Sequence, residues 1–324
     1  REGYMNVGEA PGITPERNEF ITNPAHKELD MLFLFDHVSV DQSPESKWDT
    51  HAFVPKKLQD RMSRQQEAVR NAGWASLFFC NHDQPRVVSR WGNDSDRESR
   101  ELSAKAFGML LHMHRGTPYI YEGEELGMTN AHFTSLDQYR DLEAINAYRQ
   151  RVEEARCQSS ESMMAALALI GRDNARTPMQ WDASRYAGFT PADAATEPWI
   201  GVNPNHVEIN AAEEFDDPDS VYGFYKKLIA MRHNSATVAT GEWNLLAADD
   251  EQVYAFTRTS GDDTILVVVN LTDRSAGLPG EVAELLGDGV AESQILLSTY
   301  DVAHGAKSIA RGELARWEGV VIQL

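Results

Sequence analysis

Apolar runs that stop abruptly at polar residues organise this chain. Leu32-Phe33-Leu34-Phe35 closes on Asp36-His37, and Ala75 to Cys80 closes on Asn81-His82-Asp83, the pattern of buried strands that deliver side chains at one end. Tyr4 to Ala10 and Tyr119-Ile120-Tyr121 read as shorter runs of the same kind, the first ending in the carboxylate of Glu9. Between the strands the period changes to that of a helix. Leu58, Met62 and Val69 recur among charged neighbours through Lys57 to Arg70, and Leu102, Ala106, Met109, Leu110 and Met113 form a stripe through Glu101 to His114. Strands separated by helices imply parallel pairing with right-handed crossovers, hence an open doubly wound sheet or a barrel.

Further along, Ser135 to Ile170 predicts one long helical excursion, followed by Gly171 to Asp182 and a Pro, Gly and Asn-rich stretch to about residue 210. Ser220 to Arg232 carries Val221, Phe224, Leu228 and Ile229 on one face, as a helix closing the first unit would. From Gly241 the texture is β-rich. Trp243-Asn244-Leu245, Val253 to Thr257 and Ile265 to Val269 are separated by turn residues such as Gly261-Asp262-Asp263, which predicts a small β-sandwich. The expected boundary lies near Asn234, giving units 1–234 and 235–324.

Composition narrows the class of partner. The 324 residues are 42% hydrophobic, ordinary for a globular protein, and 30 Lys plus Arg against 50 Asp plus Glu leave a net charge of -20. That charge repels nucleic acid and anionic membranes and favours a neutral small substrate. Two cysteines, Cys80 and Cys157, with no apolar run of spanning length predict a reduced, cytoplasmic setting without a disulfide framework or membrane span. The chain opens on Arg1, with a candidate acid at position 9, so it is expected to be the C-terminal part of a longer protein.

The chemistry-bearing residues sit at strand ends, where a barrel presents its catalytic groups. Glu9 and Asp83 supply two carboxyls, the minimum for general acid–base work if both face one pocket. Glu122, Glu124 and Glu125 look at first like a metal cluster, but acids at adjacent positions point in different directions and no His or Asp at ligand spacing completes a site, so neither a metal nor a cofactor is expected. Asp36 and His37 end a neighbouring strand and are as readily structural as substrate-facing. Asp173, Asn174, Arg176 and Trp181 fit either a pocket rim or a loop-stabilising network.

Four runs in order carry a resemblance: Val7-Gly8-Glu9; Asn81-His82-Asp83-Gln84-Pro85-Arg86; Gly116 to Tyr121 with Gly123 to Met128; and Gly171 through Asp182. Through them the chain resembles the alpha-amylase family, glycoside hydrolase family 13, nearest its bacterial oligo-1,6-glucosidases and alpha-glucosidases. The resemblance implies the C-terminal half of a (β/α)8 barrel followed by an all-β domain, and hydrolysis of terminal alpha-glucosidic bonds in short oligosaccharides with retention. It assigns Glu9 as general acid/base, Asp83 as the carboxylate that stabilises the transition state, His82 as a hydrogen-bond donor to the innermost glucosyl unit, and Arg86 as a secondary sugar contact. An acid at Glu9 must stay protonated near neutrality while Asp83 stays ionised, so different environments are expected around them.

In that family the nucleophilic aspartate lies about fifty residues before the acid/base strand, outside this chain, and a retaining mechanism holds the two about 5 Å apart. The chain by itself is therefore expected to be inert, and to expose strand edges that favour aggregation. Trehalose-6-phosphate hydrolysis is an alternative activity, and a non-catalytic amylase-like interaction subunit an alternative of another class. Sucrose isomerases of the family carry an Arg-Leu-Asp-Arg-Asp run where this chain has Phe35 to Asp41, which argues against isomerisation. Linkage preference and oligomeric state leave no trace in these residues.

Overall fold

The computed structural model describes residues 3–26, 28–287 and 289–324. Four short strands run parallel in chain order: β1 (Val7–Glu9), β2 (Met31–Phe33), β3 (Ser76–Leu77) and β4 (Thr117–Pro118). β1 pairs with β2 and β3 with β4, and a parallel bridge from Leu32 to Ala75 joins the two pairs into one arc. The strands are shorter than the apolar runs predict. Phe35 and Phe78 leave the ladder while still lining the cleft, so hydrophobic burial continues where strand pairing has ended.

Helices return the chain outside the arc: α1 (Pro15–Thr22) after β1, α2 (Pro55–Ala68) after β2, and α3 (Val87–Arg90) with α4 (Arg97–Met113) after β3. α2 starts with Pro55 in its first turn, where a missing N–H costs nothing. Its inner face mixes Leu58 and Met62 with buried glutamines, of which Gln66 donates to the Arg115 carbonyl and accepts from its N–H. α4 begins at the Asp96 cap, whose carboxylate accepts from Ser99 N at 2.9 Å. It is buried on nearly every side, so the single apolar stripe read from its sequence understates it.

The expected long helix after β4 is broken. A 3-10 turn at Leu136–Gln138, α5 (Leu142–Tyr148), a π-helical turn at Arg149–Glu154 and α6 (Ser160–Ile170) replace it. Arg156 at φ 51° reverses the chain, and Ser159 restarts helix by accepting from Ser162 N. α7 (Ala211–Glu214), α8 (Val221–Asn234) and α9 (Ala236–Thr240) then lead to β5 (Glu242–Leu246), β6 (Val253–Ser260) and β7 (Asp263–Asn270). β8 (Ala276–Gly277), α10 (Gly280–Leu286), β9 (Ile295–Ser298), α11 (Val302–Arg311), β10 (Glu313–Leu314) and β11 (Gly319–Gln323) complete the fold.

The C-terminal strands form a five-stranded antiparallel sheet in the order β5-β6-β7-β11-β9, beside a two-stranded β10-β8 ladder. Ser260 pairs with Asp263 across a two-residue turn, and Gly261 at φ +61° supplies the conformation such a turn needs. One apolar core crosses from arc to sheet. Phe107 and Leu110 of α4 share it with Tyr254, Val267 and Trp317, and the Phe107 and Trp317 rings stand 6.0 Å apart. Each such buried side chain contributes about 1.5–3 kcal/mol relative to exposure. Among the described residues no helix is long and apolar enough to cross a membrane.

Candidate active site

The carboxyl ends of all four parallel strands meet at one cleft of about 380 Å³. β1 brings Glu9, and the extensions of β2 and β4 bring Phe33, Phe35, Tyr119 and Tyr121. β3 continues through Phe78 and Cys80 to Asn81 and His82. The aromatic wall is interlocked: Phe33 stands edge-on to Phe78 at 5.4 Å and to Tyr119 at 4.6 Å. An apolar wall with a few convergent polar groups is the usual form of a small-molecule site.

Glu9 is exposed at the cleft's edge, on a strand whose one strand partner among the described residues is β2. The apolar side chains of Tyr4, Met5 and Val7 on the same segment are exposed with it. His82 and Asp83 are presented by a tight turn. The Asn81 side chain accepts from Asp83 N at 2.7 Å and the Asn81 carbonyl from Gln84 N at 3.2 Å, so one residue shapes the corner. Asp83 itself is clamped. Arg176 donates to its Oδ1 at 2.6 Å and, through Nε, to the His82 carbonyl at 2.8 Å, while Arg172 stands 3.7 Å from the same carboxylate and His82 Nε2 3.6 Å from Oδ2.

This arrangement separates the two carboxyls by surroundings. Asp83 lies among Arg172, Arg176 and His82, whereas Glu9 stands exposed with an aromatic wall beside it. The cations are themselves balanced: Arg172 also meets Glu143 at 2.9 Å, Lys47 meets Glu143, and Arg176 lies 3.8 Å from Asp141.

Arg86 does not fit the expected sugar contact. It is 1% exposed, its guanidinium donates to the carbonyls of Glu122 and Ala175, and it lies 5.2 Å from the Tyr121 ring. Burial and two carbonyl acceptors make it a strut behind the cleft wall. His37 is also structural: it is buried and bonded through Nε2 to the Phe78 carbonyl at 2.8 Å, tying the loop after β2 to β3.

Of the alternatives in the Gly171 to Asp182 run, Arg176 reaches the site. Asn174 is buried and caps α6 by donating to the carbonyls of Leu167 and Ala168. Asp173 accepts the N–H groups of Arg140 and Asp141, and Trp181 is half exposed, away from the cleft lining. Arg172 was missed as a site residue. Its signal was its place in the same run four residues before Arg176, one helical turn away.

Glu122, Glu124 and Glu125 diverge as adjacent residues must: Glu124 turns inward to Tyr225, Glu125 accepts from Gly123 N at 2.8 Å, and Glu122 is exposed. No group of three ligating side chains able to hold a metal occurs among the described residues.

The alpha amylase catalytic domain model matches residues 1–241, and the maltogenic amylase C-terminal domain model matches residues 243–292. The chain is 41% identical over 322 residues to an oligo-1,6-glucosidase of Parageobacillus thermoglucosidasius, covering 99% of this chain and 55% of that protein. It is 42% identical over the same span to the oligo-1,6-glucosidase of Bacillus cereus, with the same coverage. The crystal structure of trehalose-6-phosphate hydrolase from Bacillus licheniformis superposes with a TM-score of 0.87 at 38% identity, covering 98% of this chain and 56% of that one. The chain thus spans about half the length of the curated relatives it matches. The catalytic-domain model over residues 1–241 and these relatives place it in the alpha-amylase family, glycoside hydrolase family 13, to which this chain belongs.

Proposed function

We propose that this chain carries the acid/base half of a retaining alpha-glucosidase that releases terminal glucose from short oligosaccharides, with alpha-1,6 linkages its first substrates. Glu9 protonates the glycosidic oxygen and then activates water. Asp83 holds its charge against the oxocarbenium-like centre, and His82 donates to the innermost glucosyl unit. The observation that carries this reading is the clamp on Asp83: a carboxylate fixed by Arg176 and flanked by Arg172 beside a cleft that also holds Glu9 and His82. Retention requires a nucleophilic carboxylate about 5 Å from Glu9, here assigned to the strand before β1.

Charge at the rim supports a neutral substrate over a phosphorylated one. Lys47, Arg172 and Arg176 each face a carboxylate, so their positive charge is taken up by Glu143, Asp83 and Asp141. Free thiols at Cys80 and Cys157 accord with a reducing, cytoplasmic setting.

The test extends the reading frame upstream of Arg1 and assays the resulting protein on isomaltose, maltose and trehalose 6-phosphate. Expected are an aspartate on the strand before β1, α-configured glucose as first product, and a rate lower by about 10²–10⁴ in Glu9→Gln. A frame that lacks that aspartate, or turnover by this chain alone, overturns the reading.

A further inference from the structure

Directly behind the cleft wall lies a buried carboxyl that the chemistry above does not use. Glu124 follows Gly123, whose φ of +87° turns the chain inward after Tyr121. Its Oε1 accepts from the Tyr225 hydroxyl of α8 at 3.1 Å. The Cys80 thiol, itself part of the cleft wall, lies against the same carboxyl and accepts from Val87 N at 3.2 Å. Glu124 Oε2 is buried without a hydrogen-bond partner, and so is Arg86 Nε. The acceptor and the donor sit on neighbouring segments: a Cβ placed on Gly123 would stand 3.2 Å from Arg86 Nη1.

A carboxylate there calls for a donor on its second oxygen more strongly than a neutral carboxyl calls for an acceptor. An uncommitted donor on the neighbouring segment is Nε of Arg86, which braces Glu122, Ala175 and the Tyr121 ring. We propose that Glu124 is a positioning residue for the substrate cleft: neutral, it leaves the wall of Cys80 and Tyr121 as described, and ionised, it draws Arg86 and the thiol inward and shifts that wall. Sugar affinity then depends on a proton held by a residue the sugar never touches. The dependence on sugar rests on the function proposed above; the coupling of Glu124 to the wall does not.

Burial pushes the Glu124 carboxyl up to about 7, against the Tyr225 hydrogen bond and the adjacent Cys80 thiol that favour its charge, so both forms are populated near neutrality. The ionisable groups around it are Cys80 at the end of β3, Arg86 in the following turn, Tyr225 on α8, and Glu122 and Glu125 on its own segment. His112 of α4 stands edge-on to Tyr225 at 5.4 Å.

The experiment follows the glutamate carboxyl, Tyr121 ring and Cys80 signals of this chain by NMR across the neutral range. Expected is a Glu124 titration accompanied by matching shifts at Tyr121 and Cys80. Those shifts vanish in Glu124→Gln, and their midpoint moves upward in Tyr225→Phe, which loses the donor that favours the charge. Wall signals that stay fixed through the titration, or that move equally in Glu124→Gln, overturn the proposal. If Glu124→Gln fails to fold, an unmoved midpoint in Tyr225→Phe overturns it instead. In the protein with its complete barrel, KM for p-nitrophenyl α-D-glucoside is expected to rise about fivefold between pH 6 and 8, the low end of ordinary coupling between two sites, and to stay flat in Glu124→Gln. Absence of turnover there sinks the glucosidase reading, while the NMR result still decides the coupling.

Discussion

Asp41 holds Arg90 by two hydrogen bonds of 2.7 Å with both side chains buried. The remaining polar atoms are also met. Trp91 Nε1 donates to Asp41 at 2.9 Å, and Arg90 donates to the Gln84 side chain and the Val38 carbonyl. The pair fastens the loop after β2 to the residues just beyond the His82–Asp83 turn. Breaking it by Asp41→Asn or Arg90→Leu leaves a buried partner unmatched and is expected to cost about 3–5 kcal/mol in urea unfolding. A cost below that of a surface pair would show that the loop relaxes around the lesion.

Arg176 joins two acceptors with one planar group, the His82 carbonyl and the Asp83 carboxylate. A lysine offers one compact ammonium and spans them poorly. In the protein with its complete barrel, Arg176→Ala is expected to lower kcat by about 10²-fold, as for loss of one preorganised electrostatic contact, with Arg176→Lys recovering only part. Stopped assays on p-nitrophenyl α-D-glucoside check this; a change confined to KM would place Arg176 in substrate binding alone.

Two buried acids set an alkaline limb on stability. Burial pushes Glu124 and Glu214 each up to about 7 from 4.5, so between those values the folded chain holds protons the unfolded chain has released. Stability therefore falls as pH rises from 4.5 to 7, by about 3 kcal/mol for each group, and the loss is complete above 7. Thermal melts of Glu124→Gln and Glu214→Gln across this range should show a shallower decline than the parent chain.

Two buried histidines act in the opposite direction. Burial depresses His112 to about 4 and His114 to about 3 from 6.5, so the unfolded chain binds the extra protons and stability falls as pH drops below 6.5. His112 is the simpler one to replace: its Nδ1 donates to the Gly108 carbonyl at 2.8 Å, whereas its Nε2 is without a partner. His112→Phe is expected to fold within about 1 kcal/mol of the parent at neutral pH and to weaken the acid-side decline. An unchanged acid limb would assign it elsewhere.

Local features carried most of what could be read from the residues alone. The turn at Asn81 to Gln84 and the apolar strands before it are encoded within a few positions of one another. What was missed depends on distant partners. Arg86 sits in a motif full of polar groups and read as a sugar contact, but the carbonyl of Ala175, eighty-nine residues on, closes over it. Glu124 looked like one acid among three until α8 brought Tyr225 against it, one hundred and one residues later. The break between α5 and α6 was hidden for another reason. The apolar period runs on through the π-helical turn, and the reversal at Arg156 leaves no mark in hydrophobicity.

Beside the joint between the arc and the C-terminal sheet, two buried arginines face peptide carbonyls. Arg258 of β6 donates to Met113 and Gly241, and Arg232 of α8 to His112, His114 and Gly116, so both charges cap the end of α4, where the helix dipole is negative. Each is buried enough that its pKa falls, to about 9 and about 10. Dissolved ions screen exposed charges within about 10 Å at 0.1 M but reach buried dipoles poorly. Brine that loosens exposed pairs such as Lys56–Asp60 of α2 should therefore leave both arginines seated on the end of α4.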